Sequence, residues 1–343
     1  MDGRIRTLDG WRGVAILLVL LDHVQSSIHG SYYRSWTQTG QHGVTLFFVL
    51  SGFLITSKLT EGPIDLREFY RRRVFRLMPV AWTYLAFLLL FDRLTGLHFT
   101  SLMEVRACVL FYRNFIGQQL MPTADHYWSL SVEEQFYLLW PVVLLVAGNR
   151  RARWIALTAS LTCAFYRWRY WSHYDHVYLN FETQVRADAL LVGCLIPLVM
   201  DLPRLRAAIV LWSQRCALPA AVLVLFCMQR YHNLVPLYED IGVAILLAAS
   251  ALHQNRAWTR WLASPVLVWL GTISYSLYVW QQFFMPMHSA LVLCTLMPLF
   301  ALGSYYCIER PCTRFGRRSI GKVVGVEDAN LVAAGLECVD GSG

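Results

Sequence analysis

Residues 8–24 read LDGWRGVAILLVLLDHV, a run of mostly apolar residues with Arg12 near one end and His23 near the other. At about 100° per residue, eleven steps bring a helix back to within about 20° of its starting direction. Arg12 and His23 therefore share one face, about 16 Å apart along the axis. The segment is a membrane helix that carries two ionisable groups on one side. Such groups cost about 2.5 to 3.5 kcal/mol each near the bilayer centre, and they persist mostly where they line a cavity, a pathway or a reaction site. The chemistry is to be sought inside the membrane.

The rest of the chain fits that setting. Of its 343 residues 56% are hydrophobic and only 15% are charged, with a mean hydropathy of +0.42. This leaves too little polar surface for a soluble domain of the same size. The expected fold is all-α, a polytopic integral membrane bundle of about ten transmembrane helices with N- and C-termini cytoplasmic. Asp2 to Arg12 is polar, and the apolar run after it ends in Asp22 and His23 without a small-residue cleavage site. The first helix is thus expected to be retained rather than removed as a signal peptide. Nine cysteines are scattered without CxxC or zinc-ligand spacing, so neither disulfides nor a metal site is expected.

A net charge of +8 does not call for a nucleic-acid partner, because basic residues gather where helices meet the cytoplasm. Arg4, Arg6 and Arg12 place the N-terminus inside. The cluster Arg71, Arg72, Arg73 and Arg76 and those at Arg150, Arg151 and Arg153, at Arg204, Arg206 and Arg215, and at Arg256 and Arg260 mark further inner loops. Spans are expected at about 13–28, 43–58, 77–92, 129–147, 154–167, 186–200, 217–229, 237–252, 266–284 and 288–307. The stretch 104–117 is ambiguous; a crossing there would put the Arg150 cluster outside, which favours an interfacial or re-entrant helix. Aromatic residues collect in the proposed outer loops, among them Tyr32, Tyr33 and Trp36, then Tyr166, Trp168, Tyr170, Trp171 and Tyr174. They read as an interfacial belt or as a platform for a sugar-like acceptor.

The pattern of the first helix, an arginine, ten intervening residues and a histidine, resembles the membrane acyltransferase 3 family. Further segments occur in the family's order: GVTLFFVLSGFLI (43–55), FYRRRVFRLMP (69–79), WSLSVEEQFYLLWP (128–141), ISYSLYVWQQF (273–283) and YYCIERP (305–311). The resemblance covers about residues 5–315. It implies a transmembrane acyltransferase domain at 1–315 followed by a short cytoplasmic tail at 316–343. Some members carry a fused extracytoplasmic hydrolase-like domain; this chain is too short for one and is expected to act alone or with a separate partner. The implied setting is a bacterial-type inner membrane, crossed many times.

His23 suits a general base, since histidine is the side chain whose charge changes nearest neutrality. The resemblance implies the same role, on an acceptor hydroxyl attacking an acyl thioester. Asp22 lies about 100° around the helix from His23 and is a poor candidate to orient it. Arg12 either snorkels to the inner phosphates or acts with His23 on a phosphate or the thioester oxygen; the resemblance favours the second. Arg72, Arg73 and Arg76 form a fork suited to the phosphates of coenzyme A, although topology and anionic-lipid binding also explain such a run.

Glu133 shares a helical face with Tyr137 and Trp140, whereas Glu134 points elsewhere. Glu133 is therefore the expected site carboxylate and Glu134 the reserve choice, although acids at a helix start also cap it. Arg186, Asp188, Tyr275, Tyr278 and Gln281 are polar groups expected to line the same interior and bind substrate. Many family members resemble one another in having a histidine where this chain has Gln281, which leaves the base role to His23. Glu309 with Pro311 is expected to stop the last helix.

The expected function is an O-acyltransferase moving an acyl group, acetyl foremost, from cytoplasmic acyl-CoA to a hydroxyl of a carbohydrate or other polyol. Acyl-CoA is a co-substrate rather than a tightly bound cofactor, and membrane lipids are the remaining partner. No serine shows a nucleophile-elbow context, so direct attack is favoured over an acyl-enzyme. A transporter of a small anion or lipid-linked solute is the rival reading. Against it, the chain shows no internal repeat and no matching pair of broken helices.

Overall fold

A computed structural model describes residues 5–29, 39–97, 101–116, 122–170, 181–229, 235–287 and 289–317. Within them the chain is helical, without a strand. The long helices are α1 (Arg6–His29), α2 (Thr39–Thr60) and α3 (Leu66–Thr95), then, after a short α4 (Leu102–Val109), α5 (Tyr127–Tyr170) and α6 (Thr183–Met200). α7 (Pro203–Gln229), α8 (Val235–Leu252), α9 (Pro265–Phe284) and α10 (Ala290–Ser304) complete the bundle. Six of the helical stretches are long and apolar enough to cross a membrane.

Their surfaces fit lipid. Along α7, Leu218 is 74% exposed, Val222 58% and Leu225 62%. Their spacing sets them in one stripe of aliphatic side chains that water would penalise and hydrocarbon does not. Polar groups are instead drawn inward: Asp9, His42, Arg167, Arg186, Asp188, Glu239 and Asp240 are all buried.

Two glycine contacts fix the register of the core. α2 lies against α6 so closely that a Cβ at Gly52 would strike the Leu190 carbonyl, and one at Gly193 would strike that of Val49. α1 runs beside α9 in the same way, Gly13 meeting the main chain at Leu267 and Gly271 that of Asp9. Small residues at these crossings let the backbones approach where no hydrophobic effect drives helices together.

Several boundaries differ from those expected from hydropathy. α3 begins at Leu66, not near 77, because Asp65 caps it, its carboxylate accepting from the Glu68 N–H at 3.0 Å. The arginines of the next turns are good helix formers that a hydropathy window hides. Pro79 thus sits inside the helix. The spans expected at 129–147 and 154–167 belong to one 44-residue stretch, broken where Gly148 takes φ 68°. At 1.5 Å per residue this is about 66 Å, enough for two crossings.

Within 104–117 the helix α4 is eight residues, about 12 Å, too short to cross. Arg113 then pairs with Glu104 at 2.8 Å and Asp125 at 3.5 Å. Pro311 does not end the last helix. Residues Tyr305–Glu309 widen into a π turn, a device that absorbs the hydrogen bond a proline cannot make, and helix continues to residue 317. The aromatic residues at 32, 33, 36, 171 and 174 and the tail from 318 lie outside the described residues.

Candidate active site

Five helices converge on one cavity of about 70 Å³, and its polar lining comes from Arg12 of α1, Ser51 of α2, Arg73 and Arg76 of α3, Ser129, Glu133 and Tyr137 of α5, and Ser274, Tyr275 and Tyr278 of α9. Residues more than 260 positions apart are thereby brought together. Glu133 is the carboxylate that faces it, and its Oε1 accepts hydrogen bonds from the Ser51 and Tyr137 hydroxyls. Helical spacing explains the choice, because Glu133 and Tyr137 are one turn apart. Glu134 is not part of the lining.

The arginines are held rather than loose. Arg12 pairs with Asp9 at 3.7 Å, and the Arg73 guanidinium lies 3.7 Å from the centroid of the Tyr137 ring, a cation–π contact. Arg76 is within electrostatic reach of Arg12, Arg73 and Glu309; the Glu309 carboxylate accepts from Ser276 Oγ at 2.6 Å. Three guanidiniums thus face one opening, with acids behind them, a cluster suited to phosphate or to a carbonyl oxygen. Arg72 turns away: it pairs with Glu68 on its own helix and is half exposed.

His23 lies beyond the far end of this cavity, eleven residues along α1 from Arg12. Its Nδ1 is 2.8 Å from the Val19 carbonyl oxygen. A carbonyl only accepts, so Nδ1 is the donor there and Nε2 is the nitrogen left for a substrate. Asp22 does not orient the ring; its carboxylate accepts from Thr39 Oγ1 at 3.2 Å.

Of the other expected residues, Tyr275 lines the cavity but its hydroxyl is committed to the Leu77 carbonyl at 2.7 Å. Arg186 reaches Thr45 Oγ1 at 3.0 Å and lies 5.8 Å from the ring of Trp128, one residue from Ser129. Asp188 is turned to Arg167 at 2.5 Å. Gln281 is completely buried on α9. Sequence reasoning passed over Ser51 and His126. Ser51 is the lone hydroxyl in the apolar core of its motif, a signal that was present; His126 precedes the helix start, where no periodicity points to a face.

Comparison with known proteins fits this arrangement. A Bacillus subtilis protein named "Putative peptidoglycan O-acetyltransferase YrhL" is 28% identical, the match covering 92% of this chain and 56% of that protein. The "Peptidoglycan O-acetyltransferase OatA" of Listeria monocytogenes is 27% identical over 81% of this chain and 49% of its own. The chain spans about half the length of these curated relatives. No solved structure shows a match. The model of the acyltransferase domain, acyltransferase 3, matches residues 5–305. With the arginines, the half-buried carboxylate and the histidine all falling inside that span, the chain belongs to the acyltransferase 3 family.

Proposed function

We propose that this protein is an O-acyltransferase of the cell membrane that moves an acyl group, acetyl foremost, from cytoplasmic acyl-CoA to a hydroxyl of a cell-envelope carbohydrate. The observation that carries the reading is the cavity with Arg12, Arg73, Arg76 and Glu133 in its wall and His23 beyond it. Names of relatives that specify peptidoglycan O-acetylation support a glycan acceptor and do not favour a transporter.

In this reading the nucleotide of coenzyme A stays at the arginine end. The acceptor approaches from the His23 end. His23 Nε2 takes the hydroxyl proton as that oxygen attacks the thioester carbonyl. Arg12, about 16 Å away from His23 along α1 and paired with Asp9, binds donor phosphate, while the attack at the His23 end gives a tetrahedral intermediate. Its collapse breaks the C–S bond, and the departing thiolate takes the proton back from His23, giving ester and free coenzyme A. Glu133, with Ser51 and Tyr137, offsets the arginine charge and holds the wall in place. Arg73 and Arg76 bind donor phosphate, with Arg72 at the exposed edge and Tyr275 beside them; Arg186 and Gln281 belong to the acceptor side, and Asp188 is spent on Arg167.

The test is to incubate membranes containing the wild-type chain, or His23→Ala matched for expression, with radiolabelled acetyl-CoA and a cell-wall glycan extract. Label should enter base-labile ester and should depend on His23. Equal label with His23→Ala would remove His23 as base, and no label with wild type across several acyl-CoAs would overturn the transfer reading.

A further inference from the structure

Two buried polar side chains toward the His23 end lack a well-formed hydrogen bond. His126, in the turn ahead of α5, is 4% exposed, and neither of its ring nitrogens has a hydrogen-bond partner among the described residues. Gln281 is 0% exposed, and both its amide oxygen and its amide nitrogen are unpartnered there as well. Atoms that give up water on burial almost always regain a partner, so such orphans need an explanation.

Both lie on segments that wall the cavity. The His126 ring meets the Tyr278 ring edge-on, with centroids 5.6 Å apart, and the His126 carbonyl accepts from Ser129 Oγ at 3.0 Å. Tyr278 and Ser129 both line the cavity. His23 is within electrostatic reach of the His126 ring, and the Val279 main chain lies close to a ring nitrogen without the alignment of a full hydrogen bond. Gln281 follows Ser274 by two helical turns, which keeps it on the face of α9 that the cavity uses. α1 and α9 run parallel from the Gly13–Gly271 contact. His23 and Gln281 each lie ten residues beyond it and stand at the same level.

The bonding capacity of this pair names what it would take. Burial favours the neutral imidazole, which offers one donor and one acceptor, and a primary amide offers both kinds. An anion would need donors alone, and an acyl chain would need neither. A hydroxyl donates and accepts at once. Several adjacent hydroxyls, as on a sugar ring, match the whole set.

We propose that His126 and Gln281 form the acceptor subsite, binding hydroxyls that flank the one deprotonated at His23, so that the protein takes polyols with neighbouring hydroxyls rather than isolated alcohols. This rests on the acyl-transfer reading and extends it. His126 holds the acceptor and exchanges no proton with it.

Purified full-length protein, cellotetraose as the polyol probe, each of its sugars carrying adjacent hydroxyls, and radiolabelled acetyl-CoA test the subsite. His126→Ala should raise the KM for cellotetraose at least about ten-fold, with kcat changed less than about three-fold and the KM for acetyl-CoA less than about two-fold. His126→Gln, which supplies both donor and acceptor groups, should recover most of the loss. Gln281→Leu, nearly isosteric, should repeat the effect of His126→Ala if the latter fails to fold. An unchanged acceptor KM in these variants would overturn the subsite. Direct titration of cellotetraose binding separates the two readings when wild type transfers no label. Weaker binding in His126→Ala then upholds the subsite although transfer has failed, whereas equal binding, or none by wild type, overturns it.

Discussion

Arg167 and Asp188 meet at 2.5 Å between the second half of α5 and the start of α6, with the arginine fully buried and the aspartate 2% exposed. A second Arg167 nitrogen donates to the Val185 carbonyl at 2.5 Å. Removing one member of such a pair strands the other charge and costs about 3 to 5 kcal/mol. Asp188→Ala should therefore lower the yield of monodisperse protein and its melting temperature. Arg167→Met combined with Asp188→Leu should recover much of both, read by size-exclusion profile and thermal melt. Normal folding of Asp188→Ala with weakened acceptor binding would instead return Asp188 to the substrate.

The two arginines Arg72 and Arg76 are one turn apart and differ in surroundings. Arg76 lines the cavity, whereas Arg72 pairs with Glu68 at the surface. Loss of a charge-assisted hydrogen bond to phosphate is worth about ten-fold or more, so Arg76→Ala should raise the KM for acetyl-CoA by about that factor. An exposed i,i+4 pair contributes little, and Arg72→Ala should shift the same KM by less than about three-fold. Equal shifts in initial-rate kinetics would mean that the donor phosphates span both residues.

Glu133 accepts from Ser51 and Tyr137 while three guanidiniums line the same cavity. Glu133→Gln keeps the shape and removes the charge. Hydrogen bonds to an ionised group are the strong ones, and the expected loss in kcat is about ten- to a hundred-fold. The acetyl-CoA KM should move little, and Glu134→Gln should change kcat less than about three-fold. A larger defect in Glu134→Gln would transfer the role to that neighbour.

Much of this architecture was legible along single helices. The shared face of Arg12 and His23, and of Glu133 with Tyr137, follows from 3.6-residue periodicity alone, and the apolar composition called for a membrane bundle. What single helices cannot carry is the contact between them. Nothing in the order of residues says that Asp188 spends its charge on Arg167, twenty-one positions earlier, whereas the pairing of Arg72 with Glu68, one turn apart on α3, was open to the same single-helix spacing. The level of Gln281 with His23 depends on where Gly13 and Gly271 allow two backbones to touch. His126 sits in a turn, outside any periodic pattern, and only its lack of partners marks it.

The side from which the donor enters is a separate question with its own test. Tyr127 donates to the Ala81 carbonyl and Tyr70 to that of Leu138, so α5 descends antiparallel to α3. This brings the break at Gly148 to the same end of the bundle as the α2–α3 turn at Glu61–Gly62 and the arginine cluster. If acyl-CoA arrives from the cytoplasm, that end is the inner one, in keeping with the excess of arginine there. Gly62→Cys and Asn149→Cys, each in a background without other accessible thiols, should react with a membrane-impermeant maleimide only in inside-out vesicles. Labelling of both from intact cells would turn the bundle over and require the donor to bind from outside. Labelling of the two from opposite sides would break the antiparallel pairing of α3 and α5 on which the cavity is built.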